Sequence, residues 1–170
     1  FLNVDFRPKE GRSDTIVKQA LSKASGELTL TRYPEALDTY RKAYDMCGAD
    51  SLQGKINALS FLSQGIVAYT HSDYERAESL FRQAESLGSP DASYYLGEIY
   101  YEGMGVTHDA GKGFELTKQA FDKGFLPAGY RLGIACLYGI GTVANSNQAA
   151  TYFANAKEAI AHAANSGNPE

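Results

Sequence analysis

The residues with most chemical potential in this 170-residue chain are three histidines, two cysteines and a few closely spaced carboxylates. His71, His108 and His162 lie far apart, and none has a second histidine three or four positions away. The spacing that sets two imidazoles on one helix face for a metal is therefore missing. Cys47 and Cys136 belong to no C-x-x-C pair, and no G-x-S-x-G elbow occurs. Asp109 and Lys112 stand one helical turn apart and have the types of an acid and a base. The same spacing serves a helix-start cap or a surface ion pair, and that is the reading taken here. Glu98 and Glu102 are likewise one turn apart and could hold a cation, but a solvated face is the expected setting for them. HDAGKGFE beside GMGV suggests a phosphate loop; GxxxxGK[ST], however, needs glycine where Val106 stands and Ser or Thr where Gly113 stands. No strand is expected before it either. The chain thus shows no catalytic, metal or cofactor constellation, and is expected to bind rather than to react.

What positions its side chains is a repeat. Shifted by 36 residues, Leu96-Gly97 returns as Leu132-Gly133, Gly103 and Gly105 as Gly139 and Gly141, and Ala120 as Ala156. Self-similarity at such a period signals stacked helix pairs, because one pair alone cannot bury its apolar face. Gly103 and Gly105 end a helix, since glycine accepts the left-handed conformation that follows a helix C-terminus. Upstream, Ile16, Val17, Ala20, Leu21 and Ala24 mark one helical face from Thr15 to about Leu30, with Ser13 or Asp14 as its cap. Pro34 opens a second helix carrying Ala36, Tyr40 and Ala43. A longer one follows with Ile56, Leu59, Leu62, Ile66 and Tyr69, and Tyr74, Ala77, Phe81 and Ala84 repeat the earlier spacing. Residues 1–13, with Pro8 and Gly11, read as an N-terminal arm whose Phe1, Leu2 and Phe6 can dock on something apolar. Residues 14–168 read as one repeat domain, in units of about 15–50, 51–89, 90–125 and 126–168.

Tyr33/Ala36/Tyr40/Ala43 and Tyr74/Ala77/Phe81/Ala84, with Gly65 and Pro90, resemble tetratricopeptide repeats, although these two units are 41 residues apart. Ala92, Leu96, Gly97, Tyr100, Gly103, Gly105, Val106, Asp109, Lys112, Ala120 and Gly124 resemble the related Sel1-like repeat in order. The second copy departs from it: Cys136 replaces the tyrosine, Asn145 the aspartate and Gln148 the lysine, and the closing glycine is absent because Glu158-Ala159-Ile160 continue a helix. The resemblance spans roughly residues 17 to 160. It implies an all-α fold, an α-solenoid in which about four antiparallel helix pairs stack into a right-handed superhelix. It also implies that the first helices of the pairs line a concave groove where a protein or peptide partner binds. The lining positions are Leu62, Ile66 and Tyr69, then Tyr94, Glu98 and Tyr101, then Tyr130, Ile134 and Leu137. Tyrosine offers large contact area with a polar tip, which suits an interface. Two coverings of this stripe stay open: a partner, or the chain's own ends, meaning the arm or the alanine-rich helix from Ala149 to Ala164. The resemblance implies a non-catalytic interaction scaffold or adaptor, with an inhibitor or immunity protein against a secreted toxic enzyme as the alternative. It also suggests a bacterial source, and the periplasm or cell envelope ahead of the cytoplasm. The opening Phe1, in place of Met, is the expected mark of a processed or trimmed chain, with an export signal as one candidate for the missing leader.

Composition agrees with a binding domain. Hydrophobic residues make up 44% and charged residues 21%, an ordinary globular balance. The net charge of −4 argues against nucleic acid, which calls for a clustered basic face. No apolar run approaches the roughly 18 residues that span a bilayer. Cys47 and Cys136 fall several helix steps apart in a stack, too far to bridge, and are expected as small buried hydrophobes.

Overall fold

The computed structural model describes residues 10–29 and 32–166. Among these are α1 (Glu10–Thr29), α2 (Tyr33–Cys47), α3 (Asp50–Thr70), α4 (Tyr74–Ser86), α5 (Pro90–Glu102), α6 (Ala110–Asp122), α7 (Ala128–Tyr138) and α8 (Ser146–Ser166), with no strand. Each helix packs on the next in sequence, so the architecture is an α-solenoid of antiparallel pairs. Among the described residues, no helix is long and apolar enough to cross a membrane.

Local signals decide where the helices start and stop. Ser89 accepts a hydrogen bond from the Ala92 amide, and Pro90 follows it in the first turn, where its missing N–H costs nothing. Asp109 Oδ1 accepts from the Lys112 amide at 2.9 Å, so the spacing singled out as acid and base is a helix cap. The Lys112 ammonium lies instead over the Tyr100 ring, 4.0 Å from its centroid. In the next unit Asn145 accepts from the Gln148 amide at 3.0 Å. The departure from aspartate therefore keeps the cap, because a side-chain carbonyl serves as well as a carboxylate. Gly103 and Gly105 adopt φ of 67° and 71°, and the Met104 amide bonds back to the Ile99 carbonyl at 3.0 Å, closing α5.

The two helices of a unit meet where one side has no side chain. A Cβ on Gly97 would collide with the Thr117 hydroxyl and stand 3.1 Å from the Gly113 carbonyl. Gly65 leaves the same room for the ring of Phe81, and Gly133 for that of Phe153. Phe81, Leu96, Leu132 and Thr117 are wholly buried at these crossings. Thr117 spends its hydroxyl on the Gly113 carbonyl at 2.8 Å, which lets a polar side chain sit in the core.

The first pair departs from simple stacking. The helices α3 and α8 have 21 residues each, against 11 to 13 for α4 to α7. On the early part of α3, Leu52 and Ile56 are buried in one core with Ala36, Tyr40 and Ala43 of α2. At the start of α2, the Tyr33 hydroxyl donates to Asp91 in the first turn of α5 at 2.9 Å, reaching beyond its sequence neighbour. The helix α1 touches α8 as well as α2. A cavity of about 580 Å³ lies between them, walled by Leu21 and Leu28, Tyr40, Phe125, Leu126 and Ala159. First and last helices thus come together along one rim.

Two expectations need correction. The first helix begins no later than Glu10, so Ser13 and Asp14 lie inside it and cap nothing. Thr15 donates to the Gly11 carbonyl at 3.0 Å, a bond made within a helical turn. The supposed arm is shorter by that turn, and Phe1, Leu2 and Phe6 lie outside the described residues. Both cysteines are free, but only Cys136 is buried, since Cys47 closes α2 with part of its surface open.

Glycine at a crossing and glycine in open space should respond oppositely to a methyl group. Gly97→Ala should lower stability by about 1–3 kcal/mol through overpacking. Gly54→Ala, with nothing within 4 Å inside α3, should raise it by about 0.5–1 kcal/mol. Urea denaturation followed by circular dichroism reads both signs.

Candidate functional site

The helices α3, α5 and α7 carry all nine residues expected to line a groove, but they do not present them equally. Leu62 is fully buried and Tyr101 is 4% exposed, so neither lines a surface. Leu62 belongs to the main core, in which the α1–α2 hairpin and α5 close around α3. Tyr101 is roofed by the next unit, with the Arg131 guanidinium 4.4 Å from the centre of its ring. On its other side the missing Cβ of Gly113 makes room for that ring.

The others are partly or fully open. Ile66 and Tyr69 are half-buried. The Tyr69 ring meets Tyr74 at 5.7 Å, Tyr95 at 5.9 Å and Phe81 at 6.4 Å. Tyr94, also half-buried, packs against Phe125 at 5.2 Å. Glu98 and Ile134 are intermediate, whereas Tyr130 and Leu137 are exposed.

Glu98 sits in a charged hub that joins two units. Arg131 Nε lies 3.1 Å from Glu98 Oε1, and Arg131 Nη2 donates to Glu102 Oε1 at 2.8 Å. The Glu98 contact is coulombic rather than an aligned hydrogen bond, since that buried oxygen has no hydrogen-bond partner. The Tyr101 hydroxyl is buried and unpartnered as well. Glu98 and Glu102, weighed above as cation ligands, both turn to the guanidinium. Among the described residues no three His, Cys, Asp or Glu side chains gather where they could hold a metal. Burial lifts the Glu98 carboxyl above its usual range; Arg131 opposes this and Glu102 adds to it. Burial, with Glu98 nearby, pushes the Tyr94 phenol up to about 12. The Tyr69 phenol also rises, through burial and the same carboxylates. Tyr69, Tyr94, Glu98, Glu102 and Arg131 therefore share one electrostatic neighbourhood, whose formal charges leave one carboxylate in excess. It can hold a partner by aromatic contact and charge.

Sequence reasoning missed Arg131 and Tyr95, yet the repeat carried a signal for them. Both fall two positions before the repeated glycine, 36 residues apart. Tyr95 packs on Tyr69 of the unit before, and Arg131 on Tyr101 of the unit before. This position is where each unit leans on its predecessor.

Glu98 makes a pH test with a defined sign. A carboxyl whose folded pKa exceeds its unfolded value, about 4.3, binds its proton more tightly in the folded chain. Its contribution to stability is complete below the unfolded value and falls as pH rises through the folded one. Glu98→Gln should therefore gain on the parent as pH rises from about 4 toward neutrality. Denaturant midpoints across that range measure the difference; a growing deficit would mean that the Arg131 pair outweighs burial.

Comparison with known proteins follows the same units. The Sel1 repeat family model matches residues 59–89, 90–125 and 127–159. The helices α1 and α2, and the early part of α3, lie outside these three segments. Among solved structures, a Sel1 repeat protein from Oxalobacter formigenes is 27% identical, with a TM-score of 0.55, over 57% of this chain and 40% of that one. A protective antigen of uropathogenic Escherichia coli with an SLR fold aligns over 86% of this chain and 33% of its own, at 22% identity and the same TM-score of 0.55. The second likeness concerns the fold alone, and in both cases this chain spans less than half the length of its neighbour. The chain belongs to the Sel1 repeat family, whose members are typically protein-interaction scaffolds.

Proposed function

We propose that this chain is a non-catalytic adaptor that binds a protein segment along the inner faces of α3, α5 and α7. One observation carries the reading: the half-open rings of Tyr69 and Tyr94 flank a partly buried carboxylate hub with one negative charge in excess. Aromatic rings held by their neighbours offer contact area with little further ordering cost. The half-exposed Glu102 carboxylate gives a basic side chain of the partner a place to land beside them. An apolar or aromatic segment carrying one lysine or arginine fits this surface best.

Tyr101 and Leu62 are unsuitable for testing it, because replacing either damages the core. Tyr94→Ser combined with Glu98→Gln changes the inner face and leaves the helix crossings alone. Pull-down from the native source, read by mass spectrometry, should recover a defined partner with the parent chain. It should lose most of that partner with the double variant, at unchanged helical circular dichroism. Equal recovery by both chains would remove the reading.

A further inference from the structure

We propose that the cavity between α1 and α8 is a binding site for an apolar monocarboxylic acid, whose carboxylate meets Lys55 and Lys123. At about 580 Å³ the space falls within the roughly 300–1,000 Å³ of small-molecule pockets. Its walls come from distant parts of the chain: Leu21 and Leu28 from α1, Tyr40 from α2, Phe125 and Leu126 from the α6–α7 turn, and Ala159 from α8. Leu21 and Leu126 are each 39% exposed, so part of this apolar lining is open to solvent. Apolar walls that solvent can reach favour a hydrocarbon body.

The polar groups of the wall select the head group. Lys55 and Lys123 are exposed and make no ion pair among the described residues. The one carboxylate among the described wall residues, Asp91, is buried and accepts from the Tyr33 hydroxyl at 2.9 Å. Burial raises its pKa and the Tyr33 bond lowers it, with no contribution from either lysine. Two cations against one carboxylate leave the wall with one positive charge in excess, which a single carboxylate neutralises. A peptide is the poorer fit. Its backbone would bring amides and carbonyls into the cavity, and each needs a partner there. The amides of Gly88, Gly124, Phe125 and Leu126 are already spent within their own turns, and Pro90 and Pro127 have none. The cavity shares none of the nine groove positions, although Phe125 backs onto Tyr94 at 5.2 Å. Failure of the acid to bind would therefore leave the adaptor role untouched.

Isothermal titration of the full chain with decanoate, at neutral pH and below micelle formation, tests the site. Saturable binding of one decanoate per chain is expected. Lys55→Gln combined with Lys123→Gln should weaken it by about tenfold or more at unchanged circular dichroism, because charge-assisted hydrogen bonds are lost. Leu126→Asp, at an exposed position of the wall, should weaken it as well, by setting a carboxylate beside the hydrocarbon chain. Decanol, of equal length and no charge, should bind about tenfold more weakly than decanoate. Absence of saturable decanoate binding overturns the inference. So does decanol that matches decanoate, or undiminished affinity in either variant. Tighter binding of decylammonium than of decanoate would give the head-group site to Asp91 and overturn it too.

Discussion

Everything in this array depends on two helices approaching closely enough to share a ring or a hydroxyl at a point where one of them has only a hydrogen. Gly65, Gly97 and Gly133 supply that point in three successive units, facing Phe81, Thr117 and Phe153. The identity of the facing side chain varies; the need for space does not. Close packing makes such a contact intolerant of even one methyl group, while a change of partner that keeps volume is absorbed. The glycine is therefore the part of the unit that recurs, and the crossing it permits sets where α5 and α7 place their outward residues.

The repeated middle of the chain was legible because the constraint there is local and recurs. Leu96-Gly97, the paired glycines and the caps at Asp109 and Asn145 each follow from backbone requirements that any unit must meet. The ends were harder to read. The early helix does turn Ile16, Val17, Ala20 and Ala24 to the core, but it leaves Leu21 exposed and starts before Ser13 and Asp14, since Ser and Asp suit both a cap and an exposed helical position. Nothing in the spacing of Tyr33 said that its hydroxyl would reach Asp91, far along the sequence, or that α1 would touch α8. Those contacts follow from the extra length of α3 and α8, a quantity that a pattern of apolar positions underdetermines.

The inner face was legible in position more than in exposure. The residues flanking each repeated glycine do fall on α3, α5 and α7, but how open each one stands is decided by its neighbour in the next unit. Tyr101 is lost to the core because Arg131 covers it, while Leu137 at the matching place stays open because nothing described covers it. Periodicity treats the two as equal. Only the order of units in the stack separates an interior side chain from a terminal one, and that order is a property of the assembled array.

Charge adds a second kind of asymmetry. Where Tyr95 leans on Tyr69, two rings meet edge to face at 5.9 Å. Where Arg131 leans on Tyr101, the guanidinium is also held by Glu98 and Glu102, which fixes its plane and direction. Partial burial of that hub raises the cost of separating its members, since a carboxylate left without its cation in a poorly solvated site is strongly disfavoured. The joint between α5 and α7 thus carries charge as well as contact, whereas among the described residues the joint between α3 and α5 rests on the rings of Tyr69 and Tyr95. If any part of the groove adjusts to a partner, it is the α3 side, where Tyr69 makes ring contacts and no ion pair.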